Sequence, residues 1–418
     1  MKEHQKHLLP SKLPGSLIWQ RVCTSLGLLF LLLLGIIASP IVALFSFNAN
    51  LPIANIARIE DTDTTLYSYD KQSLVAVSSG QDPERAKLRS LLANIPQVNS
   101  ATSLHIPNYQ EDRAVREAIF ARNEQWEYGL NTQTPRYIAS NQMQVYFGNP
   151  RQLHSSQSRA LLTEQSERTI VTARIVLGLW SSRRSDPRFS QNGSVVIRGD
   201  EVLAWRGVQK HQRTAYAGST KRFSDGYQEK HKQQVAQDLA ILQQYYLRGQ
   251  HTLVIQNKKM RLPVDSPYLH ITAIEGVSGQ GISNGYLVSP GNWIDDYETY
   301  QHNFLAQVSR KIFQLNPQND QLALRMALYL SEHWRQQARS GQYKEPLVMA
   351  DLLSASMISV DKANLTSRFA PRVEASLQKL YAQGILGAAP ICLSCVDRTK
   401  AQWGKDWLAA YWSIVPPQ

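Results

Sequence analysis

GYQEKHKQQVAQDLAILQQYYLRGQHTLVIQNKKMRLPV, residues Gly226–Val264, is a helix pattern that gives way to a hairpin pattern. Val235, Leu239, Leu242 and Tyr246 recur at helical spacing and make one apolar stripe on a helix of about Gly226–Arg248. Gly249 stands where a helix C-terminus favours a residue free to take positive φ. HTLVIQ and KMRLPV follow, joined by a tight Asn257-Lys258 turn, and YLHITAI (Tyr268–Ile274) is a further strand. Upstream, Ile170, Ala173, Leu177 and Trp180 predict a long helix over Thr163–Trp180. SVVIR (Ser194–Arg198) is a short strand, and GDEVLAWRGV (Gly199–Val208) a short helix closed by Gly207.

The same order returns towards the C-terminus. Leu322, Met326, Leu330 and Trp334 stripe a helix over Gln321–Arg339, and Pro346–Ser354 is a short helix. Ser367–Gln383 is a third, with Pro371 in its first turn, a stripe of Val373, Leu377, Leu380 and Tyr381, and Gly384 just past its end. The hydrophobic, turn-rich remainder ends in a strand at Trp412–Val415. The repetition is one of architecture, with little identity between the two units. Before the first unit, RYIASNQMQVYFGN (Arg136–Asn149) reads as strand–turn–strand.

A chain of 418 residues with 43% hydrophobic and 19% charged residues is neither disordered nor fibrous, and its length suits two or three domains. Forty-five Lys and Arg against thirty-three Asp and Glu give +12, a balance that favours polyanionic partners. Val22–Phe47 contains no charged residue and is long enough to cross a bilayer, which takes about 20 residues of helix. A cleaved signal peptide is its rival, and Pro40 would also allow an interfacial hairpin. Lys2, Lys6, Lys12 and Arg21 precede the run, so the positive-inside rule keeps the N-terminus in the cytoplasm and sends the body across. A DNA-binding body would instead have to stay cytoplasmic.

Catalytic patterns are missing. There is no His-x-His beside a tyrosine, no Walker loop and no Gly-x-Ser-x-Gly elbow, so no enzyme and no cofactor is expected. Of three cysteines, Cys23 lies in the apolar run, while Cys392 and Cys395 form a CxxC with no second ligand pair near it, which reads as structural or incidental thiols rather than a metal site. Asp295, Asp296 and Glu298 read as an exposed acidic turn.

Helix, short helix, helix and hairpin is the order of a winged helix, in which the last helix enters the major groove and the hairpin lies along the backbone. Arg368, Arg372 and Lys379 share a face opposite the Leu377/Leu380 stripe, and Ser367 sits at the helix start where backbone N–H groups favour phosphate. In the first unit Lys230, Lys232 and Gln233 occupy the first turns of the helix, with Lys221 and Arg222 before it. Lys258, Lys259 and Arg261 decorate the hairpin tip.

On these residues the body, from about Leu104 to Pro417, resembles the iteron-binding, tandem winged-helix replication initiators of plasmids. IPNYQEDRAVREAIFARN (Ile106–Asn123) is similar to the string that opens such proteins, with Glu117 in place of the usual small residue. YIASNQMQVYFGNPRQL is similar to the strand pair that follows, and SRFAPRVEASLQKLYAQGIL to the last helix of the second unit. The resemblance implies that Ser367, Arg368 and Arg372 carry base or phosphate contacts and that host replication proteins are recruited. The expected architecture is therefore α+β: an N-terminal transmembrane helix followed by two winged-helix-like domains. Its parts are a basic tail (1–21), a membrane segment (22–47), a linker or small subdomain (48–100), and the two domains (101–288 and 289–418). Expected partners are double-stranded DNA, membrane lipids through residues 22–47, host replication proteins and a second copy of the chain. A membrane-anchored transcription regulator and an envelope protein on an uncleaved signal anchor are the alternatives.

Overall fold

The computed structural model describes residues 87–92 apart from 89, 101–121, 125–128, 134–151, 156–214, 222–255, 258–274, 285–299 and 305–417 apart from 339. Asp70–Gln418 clusters as one compact unit.

At its centre is α3 (Glu167–Arg183), preceded by α1 (Gln110–Phe120) and α2 (Ser156–Thr163). Residues 169–180 of α3 are buried without interruption, so the helix is enclosed on all sides rather than laid on a surface. Ser166 starts it with a reciprocal capping box to Thr169, so the helix begins about one turn later than the Thr163 start that periodicity predicts. Strand β1 (Ser103–Pro107) crosses α3 so closely that a Cβ on Gly178 would sit 2.8 Å from Leu104 Cβ.

Short strands β2 (Glu127–Tyr128), β3 (Pro135–Ile138) and β4 (Gln144–Phe147) precede α3, and β5 (Ser190–Gln191), β6 (Ser194–Arg198) and α4 (Gly199–Trp205) follow it. A hairpin, β7 (His211–Thr214) and β8 (Arg222–Gly226), leads into α5 (Glu229–Gln243). Then come β9 (Tyr245–Ile255), β10 (Lys258–Pro267), β11 (Leu269–Ile274) and β12 (Gly285–Pro290). Helix α5 ends earlier than expected because Tyr245, Tyr246 and Leu247 are more valuable as a buried strand. All three are buried in β9, and Tyr246 leaves the helical stripe for the sheet.

After α6 (Asp295–Thr299) the chain forms β13 (Leu305–Ser309), α7 (Arg310–Phe313) and the amphipathic α8 (Gln321–Gln336). The C-terminal part adds β14 (Leu347–Val348), α9 (Met349–Ala355) and a π-turn (Leu365–Phe369) that runs into α10 (Ala370–Ala382). It closes with β15 (Ile391–Cys392), α11 (Trp403–Ala409) and β16 (Tyr411–Ser413).

Three findings correct the expected architecture. Among the described residues no helix is long and apolar enough to cross a membrane, so the transmembrane architecture and the membrane location are corrected to a mixed α/β body. Val22–Phe47 itself lies outside the described residues. Second, β1 pairs antiparallel with β13, Ser103 opposite Ser309, so the chain is stitched across position 288/289. Third, β9 and β10 do not pair with the strands of the helical unit. They belong to a five-stranded sheet of order β10-β9-β4-β3-β2. The sequence cue for a hairpin is right that the two strands pair, but Lys258, expected in the turn, opens β10 opposite Ile255. Asn257 lies outside the described residues, and the cue is silent about further strand partners.

Candidate nucleic-acid interface

Two sets of elements in the body share one order and one sheet topology. In the first, α3, β6, α4, α5, β11 and β12 follow one another, with the β7–β8 and β9–β10 hairpins inserted on either side of α5. Its strands lie in the order β11-β12-β6, with β5 beside β6. In the second, α8, β14, α9, α10, β15 and β16 follow one another, with α11 inserted before the last strand. Its sheet has the order β14-β16-β15. In both, the last strand lies between the other two and pairs antiparallel with each. The third helix of each set, α5 and α10, precedes that terminal hairpin. The hairpin equivalent to β15–β16 is thus β11–β12, and not the β9–β10 hairpin that carries Lys258, Lys259 and Arg261.

Helix α5 packs through Val235, Asp238, Leu239, Ile241 and Leu242. Asp238 sits in the apolar stripe and is fully enclosed, where Arg168 Nε donates to both its oxygens at 3.0 and 3.1 Å and Thr172 Oγ1 donates at 2.9 Å. Thr169 Oγ1 adds a hydrogen bond at 3.3 Å, and Arg206 Nη1 lies 3.7 Å away. Burial pushes the Asp238 carboxyl up and the Arg206 guanidinium down, each partly offset by the opposite charges around it. The opposite face of α5 is open: Lys230, Gln233 and Ala236 are exposed, and Gln237 and Ala240 half-buried. Lys232 is half-buried beside Glu229 at 3.7 Å, an ion pair of little energetic weight. Lys221 lies outside the described residues.

Helix α10 packs through Ala370, Val373, Leu377 and Leu380 and exposes Arg372, Ala375, Gln378 and Lys379, with Ser367 and Arg368 exposed in the π-turn before it. The Arg368 and Arg372 side chains make no hydrogen bond or ion pair with another described residue. The Asp361 carboxyl is held below its ordinary range first by Asn364 and in smaller part by the Arg368 guanidinium. Lys379 is less free: its Nζ donates to Asp320 Oδ1 at 2.6 Å, tying α10 to the start of α8. Ser367 is no longer at a bare helix start, because the N–H groups of Arg368 and Phe369 are spent on Asn364 O. Ser367, Arg368, Arg372 and Lys379 are exposed along the π-turn and α10, while Lys230, Lys232 and Gln233 lie in the first two turns of α5, with Lys230 and Lys232 on different sides of the helix. Lys259 and Arg261 lie on the exposed face of the separate sheet, opposite Val254 and Thr252.

Two features escape a reading of the sequence. Glu374, half-buried on α10, accepts Arg398 Nη2 at 2.7 and 2.9 Å and Trp407 Nε1 at 2.8 Å, which fastens the segment between β15 and β16 to the helix. The guanidinium of Arg398 also lies 5.2 Å from the Trp403 ring centroid. Lys400 and Lys405 are exposed on that segment, as is Cys395. The second feature joins the two sets. Arg174 on α3 and Arg116 on α1 both reach Glu332 on α8, with Arg116 Nη2 2.8 Å from Glu332 Oε2. Arg174 Nη1 is 2.7 Å from Asp112 Oδ2, and Tyr268 OH donates to Asp112 Oδ1 at 2.6 Å. Burial lowers both guanidinium pKa values, with Asp112 opposing it. Arg325 of α8 adds a pair to Glu167 of α3 and donates to Met357 O at 2.7 Å. The acidic turn is also structural: Asp296 is 3.1 Å from the buried His251, and Glu298 pairs with Arg184. Among the described residues no group of His, Cys, Asp and Glu could hold a metal ion.

No protein-family model matches the chain, and no curated protein does. Among the solved structures similar to it are two of domains 2 and 3 of RctB. One, of selenomethionine derivatives, is 10% identical with a TM-score of 0.38 and covers 74% of this chain and 99% of its own. The other is 8% identical with a TM-score of 0.37 and covers 72% of this chain and 96% of its own. Scores of this size carry no argument about function.

Proposed function

We propose that this protein binds duplex DNA in a sequence-specific way, in the manner of a replication initiator, by presenting α5 and α10 to successive major-groove segments. The observation that carries the reading is the twice-built unit of three helices and an antiparallel sheet whose last strand lies between two others, and whose third helix exposes polar or cationic side chains. A third helix placed before a hairpin in this way is consistent with insertion into the major groove, for which an α-helix is the right width. Arg368 and Arg372 supply exposed donors that no described residue occupies. The buried ions between α3 and α8 hold the two units in one relation, which a protein reading two neighbouring groove segments needs. The proposed role is binding, with no bond chemistry.

The test is titration of the full chain with duplex DNA from upstream of its own coding sequence at several salt concentrations. The expected result is an affinity that falls steeply with salt, with a slope of about −0.9 per phosphate neutralised. Arg368→Ala with Arg372→Ala should weaken binding and flatten that slope. An affinity indifferent to salt, or unchanged in the double variant, would end the proposal.

A further inference from the structure

The two helices differ in what they offer a base edge. On α5 the open face runs Glu229, Gln233, Ala236, Gln237 and Ala240, one residue per turn or nearly so, and it holds no arginine. Gln237 already accepts Arg168 Nη2 at 3.3 Å through its carbonyl, which leaves Gln233 as the amide free to use both its donor and its acceptor. Glu229, at the helix start, is engaged by Lys232. On α10 the corresponding face begins with two unoccupied guanidiniums, Arg368 and Arg372, followed by Ala375. A carboxamide matches the N7 acceptor and N6 donor of adenine, and a methyl group packs on the thymine methyl. A guanidinium matches the paired acceptors O6 and N7 of guanine.

We infer that the two helices read different bases: α5 selects A·T pairs through Gln233 and Ala236, and α10 selects guanine through Arg372 and Arg368. This inference rests on the DNA-binding reading above and adds the chemistry of the target. The bound duplex carries an A·T-selected segment and a guanine-selected segment. Their order and spacing are fixed because Arg174 of α3 and Arg116 of α1 both pair with Glu332 of α8. Lys230 on the rim of α5 and Lys379 on α10, the latter shared with Asp320, contribute phosphate attraction without base preference.

The experiment is selection of duplexes from a randomised library by the full chain, repeated with Gln233→Ala, Arg372→Ala and Arg372→Lys. All three substitutions are at surface positions, and a thermal melt confirms that each variant folds as the parent does. The parent should enrich one motif with a segment rich in A·T and a separate segment containing guanine. Gln233→Ala should relax preference only in the first, and Arg372→Ala only in the second, by about 5- to 150-fold per base read. Arg372→Lys should keep the salt dependence yet lose part of the guanine preference, because an ammonium cannot make the bidentate contact. Guanine in both segments, or loss of guanine preference on changing Gln233, overturns the division of labour while leaving DNA binding intact. Salt-sensitive binding with no enriched motif also overturns it. Failure to retain any duplex would overturn the DNA-binding reading itself, and this inference with it.

Discussion

Helix α5 is held from behind, by a carboxylate sunk in the core among Arg168, Arg206, Thr169 and Thr172. Helix α10 is held from its flanks, by Glu374 to the segment that carries Arg398 and by Lys379 to Asp320. The first anchor uses a residue that never meets solvent and leaves the open face untouched. The second uses residues on or beside the open face, so part of the charge of α10 is already committed before any ligand arrives. Two units of one topology can thus aim equivalent helices by unrelated means. What the topology keeps in common is the position of the helix, and what differs is how much of its polar chemistry remains available.

The strongest way to break this comparison is to cut the link between the units. Glu332→Ala leaves Arg116 and Arg174 buried without their shared partner and should cost about 3–5 kcal/mol, read by denaturant unfolding. If the two units are held as one body, the loss appears in a single transition of the whole. A variant that melts as two separate steps would show the units to be independent.

Next in size is the contrast between the helices in binding. Arg372→Ala should lose about 1–3 kcal/mol of discrimination and lower the salt slope, whereas Gln233→Ala should lose a similar amount of discrimination with the slope unchanged. Equal slopes for the two variants would remove the distinction.

The buried anchor of α5 should also respond to pH. Because burial raises the Asp238 carboxyl, its contribution to stability is full below the ordinary aspartate range and is lost as pH rises through the raised value. Asp238→Asn removes that titration. The stability of the parent relative to the variant should therefore fall as pH rises above about 4, by about 1.4 kcal/mol per pH unit until the carboxyl has ionised in the folded state. A gap that grows with pH would show the ion pairs with Arg168 and Arg206 to outweigh desolvation.

The smallest effect is expected at the third basic cluster. Lys259→Ala with Arg261→Ala should change stability by no more than about 0.5 kcal/mol, as for ordinary surface substitutions, and should leave base preference untouched. These residues belong to the five-stranded sheet and not to either helical unit. A change of base preference in this variant would restore the β9–β10 hairpin as a wing.

Most of the stripes of α8 and α10 and the turn at Gly384 are legible in the sequence, because periodicity reports burial and a glycine reports a backbone that needs one. Gly249, expected at a helix end, lies instead inside β9, and Tyr381, expected in the α10 stripe, is exposed. Strand partners are not legible. HTLVIQ and KMRLPV announce a hairpin equally well whether it closes the helical unit or joins β4, since pairing across a sheet depends on residues about a hundred positions away. The swap of Tyr245–Leu247 from helix to strand is hidden for the same reason. Of the candidate interface, exposed Arg368 and Arg372 can be read from their position opposite the stripe. Asp238 could have been noticed as a charge standing at stripe spacing beside Val235 and Leu239. Glu374 could not, because nothing local distinguishes it from a solvated helix glutamate until Arg398 and Trp407 are brought to it.

The central claim is that α5 and α10 meet the same duplex while the β9–β10 hairpin does not. Photo-crosslinking probes placed at positions 233, 372 and 259 of the full chain, bound to its selected duplex, test that claim most directly. Crosslinks to DNA bases from 233 and 372, at two different segments, with none from 259, are the predicted result. Base crosslinks from 259 with neither helix position reacting would contradict it.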